Sequence, residues 1–240
     1  VHSLTLGVVL VPAGRLGDRF GRRWFLVGGL TLFSLASLVG ATAPDAKTLI
    51  IARLVQGIGA GVANPQVIGL IQDVFAGTDR ARALGAYATT GAVSGLAAPL
   101  IGGLILTLAG PSQLFGVPVD GWRWVLALNV PVGLTTAVLA SRWLPRARPA
   151  PSERPSSLDL PGVALFGLMT LALMLAVVGS PIPDVPAWTW VAAAVLLGIT
   201  LWRWERVLGR RGRPGILLPE LFRARTFVMG TAVAMFCFGA

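Results

Sequence analysis

The 240-residue sequence is short of charge: Asp, Glu, Lys and Arg together make up 12% of it, where soluble domains usually carry about a quarter. Histidine and cysteine are almost absent, with His2 and Cys237 the sole examples. That excludes an intrachain disulfide, a CxxC metal site, an HExxH motif and any histidine-rich cluster. No GxxxxGK[ST] stretch occurs, so nothing argues for a nucleotide-driven pump. No constellation of nucleophile, metal ligands or cofactor loop marks an enzyme, and no cofactor is expected. Basic residues outnumber acidic ones, 20 to 10, but they lie in short clusters between apolar stretches and not along one stripe. Nucleic acid is therefore not an expected partner.

What the chain has is apolar length. It is 55% hydrophobic with a mean hydropathy of +0.76, and its 30 glycines and 17 prolines sit inside uncharged runs, as membrane helices permit. Trp24–Ala43, Thr48–Gln72 (with Arg53 its one charge), Ala83–Val119, Trp124–Ser141, Leu160–Pro183 and Val185–Trp202 are each long enough to cross a bilayer, which takes about 20 apolar residues. Ala83–Val119 is long enough for a span and a loop. Val1–Ala13 and Thr226–Ala240 are shorter apolar runs. The sequence thus predicts an all-α integral membrane protein with about six full and two truncated spans, read as an internal piece of a longer chain.

Orientation follows from basic-residue placement, because positive loops are retained in the cytoplasm. One side collects the clusters at Arg15–Arg23, Arg80–Arg82, Arg142–Arg154 and Arg203–Arg225, 17 of the 20 basic residues. The other side has Lys47 and Arg123 beside Asp45, Asp120 and Asp184. Eight tryptophans all fall near predicted span ends, as an interfacial aromatic belt does.

Three stretches carry mechanism. Gly14-Arg15-Leu16-Gly17-Asp18-Arg19-Phe20-Gly21-Arg22-Arg23 reads at its simplest as a tight turn with positive-inside charges, but it resembles the GxLaDrxGrr signature between helices two and three of the major facilitator superfamily. The resemblance implies a cytoplasmic latch with Asp18 as its acid, Arg19, Arg22 and Arg23 as basic partners, and Gly14, Gly17 and Gly21 as packing positions. In the Thr48–Gln72 run Arg53 is an intramembrane arginine, a functional-site hypothesis by default, although near enough the span end to snorkel. Gln56 follows at i+3 on the same face, then Gly57, Gly59 and Gly61, and the whole is similar to the fourth-helix motif of proton-coupled members. Gly91–Gly103 reads either as ordinary small-residue helix packing with a kink at Pro99 or as the fifth-helix antiporter signature. Pro99, Gly102 and Gly103 match that signature, while Ser94 and Ala98 replace glycines.

The stretch Gly121-Trp122-Arg123-Trp124 through Asn129-Val130-Pro131-Val132-Gly133 resembles the sixth-helix entry of the fourteen-span drug:proton antiporter branch, as does the extra pair of spans opening at Asp159, itself placed as a helix N-cap. The resemblance implies residues 1–142 as a transporter half from its second to sixth helices, a linker over 143–158, an inserted two-helix hairpin over 159–205, a cytoplasmic loop over 206–225 and the start of a second half over 226–240. It implies proton-coupled efflux of small amphipathic or cationic drugs by alternating access, in a bacterial inner membrane, by a protein monomeric at full length. Export of an endogenous metabolite, siderophore or lipid-like compound is the alternative on the same fold, and a non-transporting scaffold or receptor the alternative from another class. Because no carboxylate lies within a complete predicted span, the proton-binding acid is expected outside these residues.

Overall fold

The computed structural model describes residues 2–108, 112–114, 117–145, 159–178, 185–210 and 229. Its elements, in order, are α1 (His2–Phe20), α2 (Arg22–Ala41), α3 (Ala46–Val74), α4 (Gly77–Leu108), β1 (Ser112–Leu114), β2 (Val117–Val119), α5 (Gly121–Trp143), α6 (Leu160–Val178) and α7 (Ala187–Arg210). The fold is all-α apart from the small antiparallel hairpin β1–β2, which pairs Ser112 with Val119 and Leu114 with Val117. That hairpin is the loop expected at the end of the Ala83–Val119 run. Four helices, α2 to α5, are long and apolar enough to cross a membrane, and α6 adds a shorter apolar segment, Pro161–Val177. At about 1.5 Å per residue, the 29 residues of α3 run roughly 44 Å, well past a hydrocarbon core of about 30 Å. The Thr226–Ala240 run lies outside the described residues except for Met229.

The chain divides into two compact units, residues 1–151 and 152–240. In the first, α3 is central. Its buried positions are nearly all small or amide residues, including Ala52, Gln56, Gly57, Gly59, Gly61, Ala63, Gln66 and Gly69. This is how membrane helices associate, because lipid offers no hydrophobic gain and close backbone approach supplies the attraction instead. A Cβ on Gly59 would stand 2.5 Å from the Phe33 nitrogen and 2.8 Å from the Gly29 carbonyl oxygen of α2, and one on Gly61 would stand 2.9 Å from the Leu6 carbonyl oxygen of α1. The Gly57 Cβ position is taken by the His2 carbonyl. Alternate glycines of one motif thus seat two different helices, α1 running parallel to α3 and α2 antiparallel to it.

On its other side α2 packs antiparallel to α5, where Ser34 Oγ fills the space in which a Gly133 Cβ would project. By contrast α4 has no buried residue, and Cβ atoms on Gly91, Gly95, Gly102 and Gly103 would meet nothing within 4 Å. In the second unit α6 and α7 pair. Asp159 caps α6, its Oδ1 accepting from Gly162 N at 3.1 Å, and both its carboxylate oxygens accept from the Trp204 indole, at 2.9 and 3.1 Å. Trp204 is therefore a hydrogen-bonded member of the hairpin as well as a span-end tryptophan.

Candidate functional site

The stretch read as a loop is mostly helix. α1 continues through Gly14, Gly17, Asp18 and Arg19 to Phe20, and the chain breaks at one residue, Gly21, whose φ of 102° is open to glycine at no steric cost. The next residue begins α2. A single-residue break between two helices brings Asp18, the last-turn acid of α1, within an ion pair of Arg22, with Arg22 Nη2 2.7 Å from Asp18 Oδ1. The same guanidinium reaches α3, where its Nε lies 3.1 Å from Asp73 Oδ2. One arginine thus bridges two carboxylates from two other helices. Arg22 is less exposed than either acid, its side chain 21% accessible against 55% for Asp18 and 39% for Asp73, so solvent weakens both pairs and leaves them free to exchange partners. Gly69 of α3 makes room for the arrangement, because a Cβ there would coincide with the Arg22 guanidinium.

The other two motif arginines point elsewhere. Arg19 lies over the Phe20 ring at 5.3 Å. Arg23 is 9% exposed; it stacks on Trp24 at 5.3 Å, and its Nη2 donates to the Ser141 carbonyl at the end of α5. Of the three basic residues assigned to Asp18, Arg22 is the one that pairs with it among the described residues. Asp73 was not singled out from the sequence, because it stands twelve positions or more from any recognised motif residue and reads there as the polar end of a span. Its signal was its spacing from Gln66 and Gly69, which places all three on one face of α3.

The second motif forms a polar chain between α3 and α2. Arg53 Nη1 donates to Gln56 Oε1 at 3.2 Å, Gln56 Nε2 donates to Ser37 Oγ at 2.7 Å, and Ser37 Oγ donates to the Phe33 carbonyl at 2.7 Å. Gln56 and Ser37 are fully buried. Both amide atoms of Gln56 and the Ser37 hydroxyl have partners, as membrane interiors demand, because an unpaired polar atom there costs several kcal/mol, about 2–7 depending on the reference medium. In the third motif Pro99, Gly102 and Gly103 lie on the open face of α4, and the structure brings them to no other site residue.

Arginines also close helix ends. Arg123, at the start of α5, donates through Nη1 to the carbonyls of Ala41 at 3.1 Å and Ala43 at 2.7 Å, the C-terminus of α2. Arg23 does the converse at the opposite end of the same helix pair. Arg80 serves α3 in the same way, donating to the Gln72 and Phe75 carbonyls at 2.9 Å each. Carbonyls left over at a helix C-terminus attract cations. A further residue missed from the sequence is Glu205, 1% exposed on the inward face of α7 with Leu201 and Leu208. The 201, 205, 208 spacing marks that face, but Glu205 stands beyond the Val185–Trp202 apolar run, at the last position of the 159–205 hairpin between Arg203 and Arg206, where a charge reads as the polar end of a span.

Helices long enough to cross a bilayer, packed through glycines and carrying arginine–carboxylate pairs at their ends, define a multi-pass membrane protein. The model of the Major Facilitator Superfamily matches residues 1–240, and the chain belongs to that family. Among its relatives are a probable actinorhodin transporter of Streptomyces coelicolor, 32% identical over 99% of this chain and 40% of that protein. Others are the puromycin resistance protein pur8 of Streptomyces alboniger, 40% identical over 68% of this chain and 30% of that protein, and the multidrug transporter protein MdtP of Bacillus subtilis, 31% identical over 98% of this chain and 41% of that protein. The chain spans less than half the length of these relatives.

Proposed function

We propose that the chain is part of an exporter of small amphipathic or cationic drugs that exchanges its cargo for protons by alternating access in a bacterial inner membrane. The observation that carries this reading is Arg22 held between Asp18 and Asp73. Two exposed acids competing for one arginine make a joint that opens at little cost, and a joint of that kind between α1, α2 and α3 is suited to an element that must release and re-form once per cycle. The Arg53–Gln56–Ser37 chain supplies a buried polar path between α3 and α2, on the side of the bundle opposite the joint, and supports the coupling to protons. The clusters at Arg19, Arg80, Arg148 and Arg211 face the cytoplasm in this reading. The names of the relatives support export of drugs and antibiotics, and export of an endogenous metabolite, siderophore or lipid-like compound is the second reading on the same fold. The full-length protein acts as a monomer in either case, without nucleic acid as a partner.

The test is ethidium export by the full-length protein reconstituted in vesicles with an imposed pH gradient. Export that follows the gradient and collapses when it is dissipated is expected. Export indifferent to the gradient would reject the coupling, and the absence of any export, with ethidium or with puromycin, would reject the drug-exporter reading.

A further inference from the structure

Gln66 stands one turn before Gly69 and two before Asp73 on α3 and is 0% exposed. Its Nε2 donates to the Ala13 carbonyl of α1 at 2.8 Å and to its own helix at Val62 O, at 3.2 Å. Its Oε1, Cδ and Nε2 together occupy the place where a Cβ on Gly17 would project. Oε1 is buried with no conventional donor among the described residues, but it is the atom nearest the Gly17 Cβ position, against the bare Cα, where helices make weak Cα–H···O contacts. The amide is therefore held on α1 from both ends, by a carbonyl at Ala13 and by the bare Cα of Gly17. Pro65, its neighbour, lies 3.5 Å from the Cβ position of Gly14.

We propose that Gln66 is a positioning residue for the joint formed by Asp18, Arg22 and Asp73, fixing the register of the end of α1 against α3. The proposal rests on reading that joint as a transport latch. Asp18 follows Gly17 directly, and Arg22 follows the break at Gly21, so the height at which Gly17 sits on α3 sets where both groups stand relative to Asp73. A side chain that carries N–H donors and an acceptor on the same planar amide holds that height, whereas an apolar side chain of equal size fills the space without holding it. The far end of a glutamine usually yields to an added methyl group. This one is fully buried and hydrogen-bonded, so a methyl at position 17 displaces it only by breaking its bond to Ala13.

The experiment uses the full-length protein and four variants, Gly17→Ala, Gln66→Ala, the two together, and Gln66→Met, each measured for melting temperature in detergent and for ethidium export in vesicles. Gln66→Met, unbranched and of similar length, is expected to keep the melting temperature while the maximal export rate falls about tenfold and KM changes less than about twofold. The double variant is expected to match Gln66→Ala alone in both readouts, since the methyl then has nothing to displace. Export at the original rate by Gln66→Met overturns the proposal, and so does additivity of the two alanine changes. The melting-temperature cycle reports the Gly17–Gln66 contact without any substrate, and Asp18→Asn measured alongside reports the latch. A cycle that couples while Asp18→Asn exports normally rejects the latch reading on which the proposal rests, and coupling with a silent Gln66→Met rejects the positioning role alone.

Discussion

The Arg23 guanidinium, at the first turn of α2, is bound by the carbonyl oxygen of Ser141, 118 residues later at the last turn of α5. At the opposite ends of the same two helices, Arg123 of α5 donates to Ala41 and Ala43 of α2. Each helix of an antiparallel pair carries at its N-terminal end the cation that closes the other's C-terminus. A charge at its own helix N-terminus opposes the local dipole, and the partner's C-terminus offsets this. Arg123→Gln is expected to lower the melting temperature of the full-length protein, by the equivalent of about 1.5–3 kcal/mol for hydrogen bonds from a charged donor, discounted for its partial exposure. Arg23→Gln acts at the far end, so the double variant should lose the sum. Differential scanning fluorimetry in detergent decides it, and a double variant no worse than either single one would show that the two ends are not independent.

The glycines of α3 give a steric prediction. Gly59→Ala places a methyl against the backbone of Phe33 and Gly29, which cannot rotate away, so α2 and α3 must separate. A loss of about 1–3 kcal/mol is expected, as for other overpacked interfaces. Gly91→Ala on the open face of α4 should cost nothing in the isolated 240-residue chain. Equal losses at both positions, measured by unfolding in mixed micelles, would contradict the packing described.

In the second unit, Asp159 and Trp204 form a pair that a double-variant cycle can isolate. Asp159→Ala and Trp204→Phe are each expected to loosen α6 against α7, with a coupling of about 1–2 kcal/mol between them. Near-zero coupling would return Asp159 to a local cap and Trp204 to an interfacial anchor.

Asp45 caps α3 through its side chain, accepting from Thr48 N at 2.8 Å. That backbone hydrogen bond, with help from the Thr48 hydroxyl and the Lys47 backbone, lowers its pKa below the usual 3.8. The folded state therefore prefers the ionised form, and the contribution is complete above the unfolded value near 3.8 and fades as pH falls through the lower folded value. A melting temperature followed below pH 4 should show this loss, and Asp45→Ala should remove that part of the acid dependence. An unchanged acid limb would contradict the cap.

How legible all this was in the sequence depended on distance along the chain. The helices were legible because charged residues punctuate them: Asp45 and Asp120 precede α3 and α5, and the apolar runs match α2, α3, α5 and α6 within a few residues. Gly17, Gly57, Gly59 and Gly61 were legible as packing positions, whereas Gly21, expected to be one, meets nothing within 4 Å and serves instead as the positive-φ break, and Gly102 and Gly103 face open space. What the packing glycines meet was not legible, because Gly17 meets Gln66 across 49 residues of sequence and Gly59 meets Phe33 on another helix, and no local pattern marks such partners. The Gly14–Arg23 stretch was read as a loop because of its charges, yet charges at the water-facing end of a helix cost little, and one glycine at positive φ was enough to turn the chain. Arg23, Arg80 and Arg123 were read as topology signals. Their other role, closing helix C-termini, depends on which helix ends meet.

The account turns on Arg22 being shared by Asp18 and Asp73 in a joint that works during transport. The most direct measurement is ethidium export by the full-length Asp18→Asn variant, at matched membrane abundance and with its melting temperature recorded. Because the Asp18 side chain is exposed, the melting temperature should hold within about 2 °C, the shift that roughly 0.5 kcal/mol or less gives in a chain of this size. The maximal rate should fall about tenfold or more. An Asp18→Asn protein that is equally stable and exports at the original rate would contradict the latch, and would leave Gly14–Arg23 as a basic helix end with no part in the cycle.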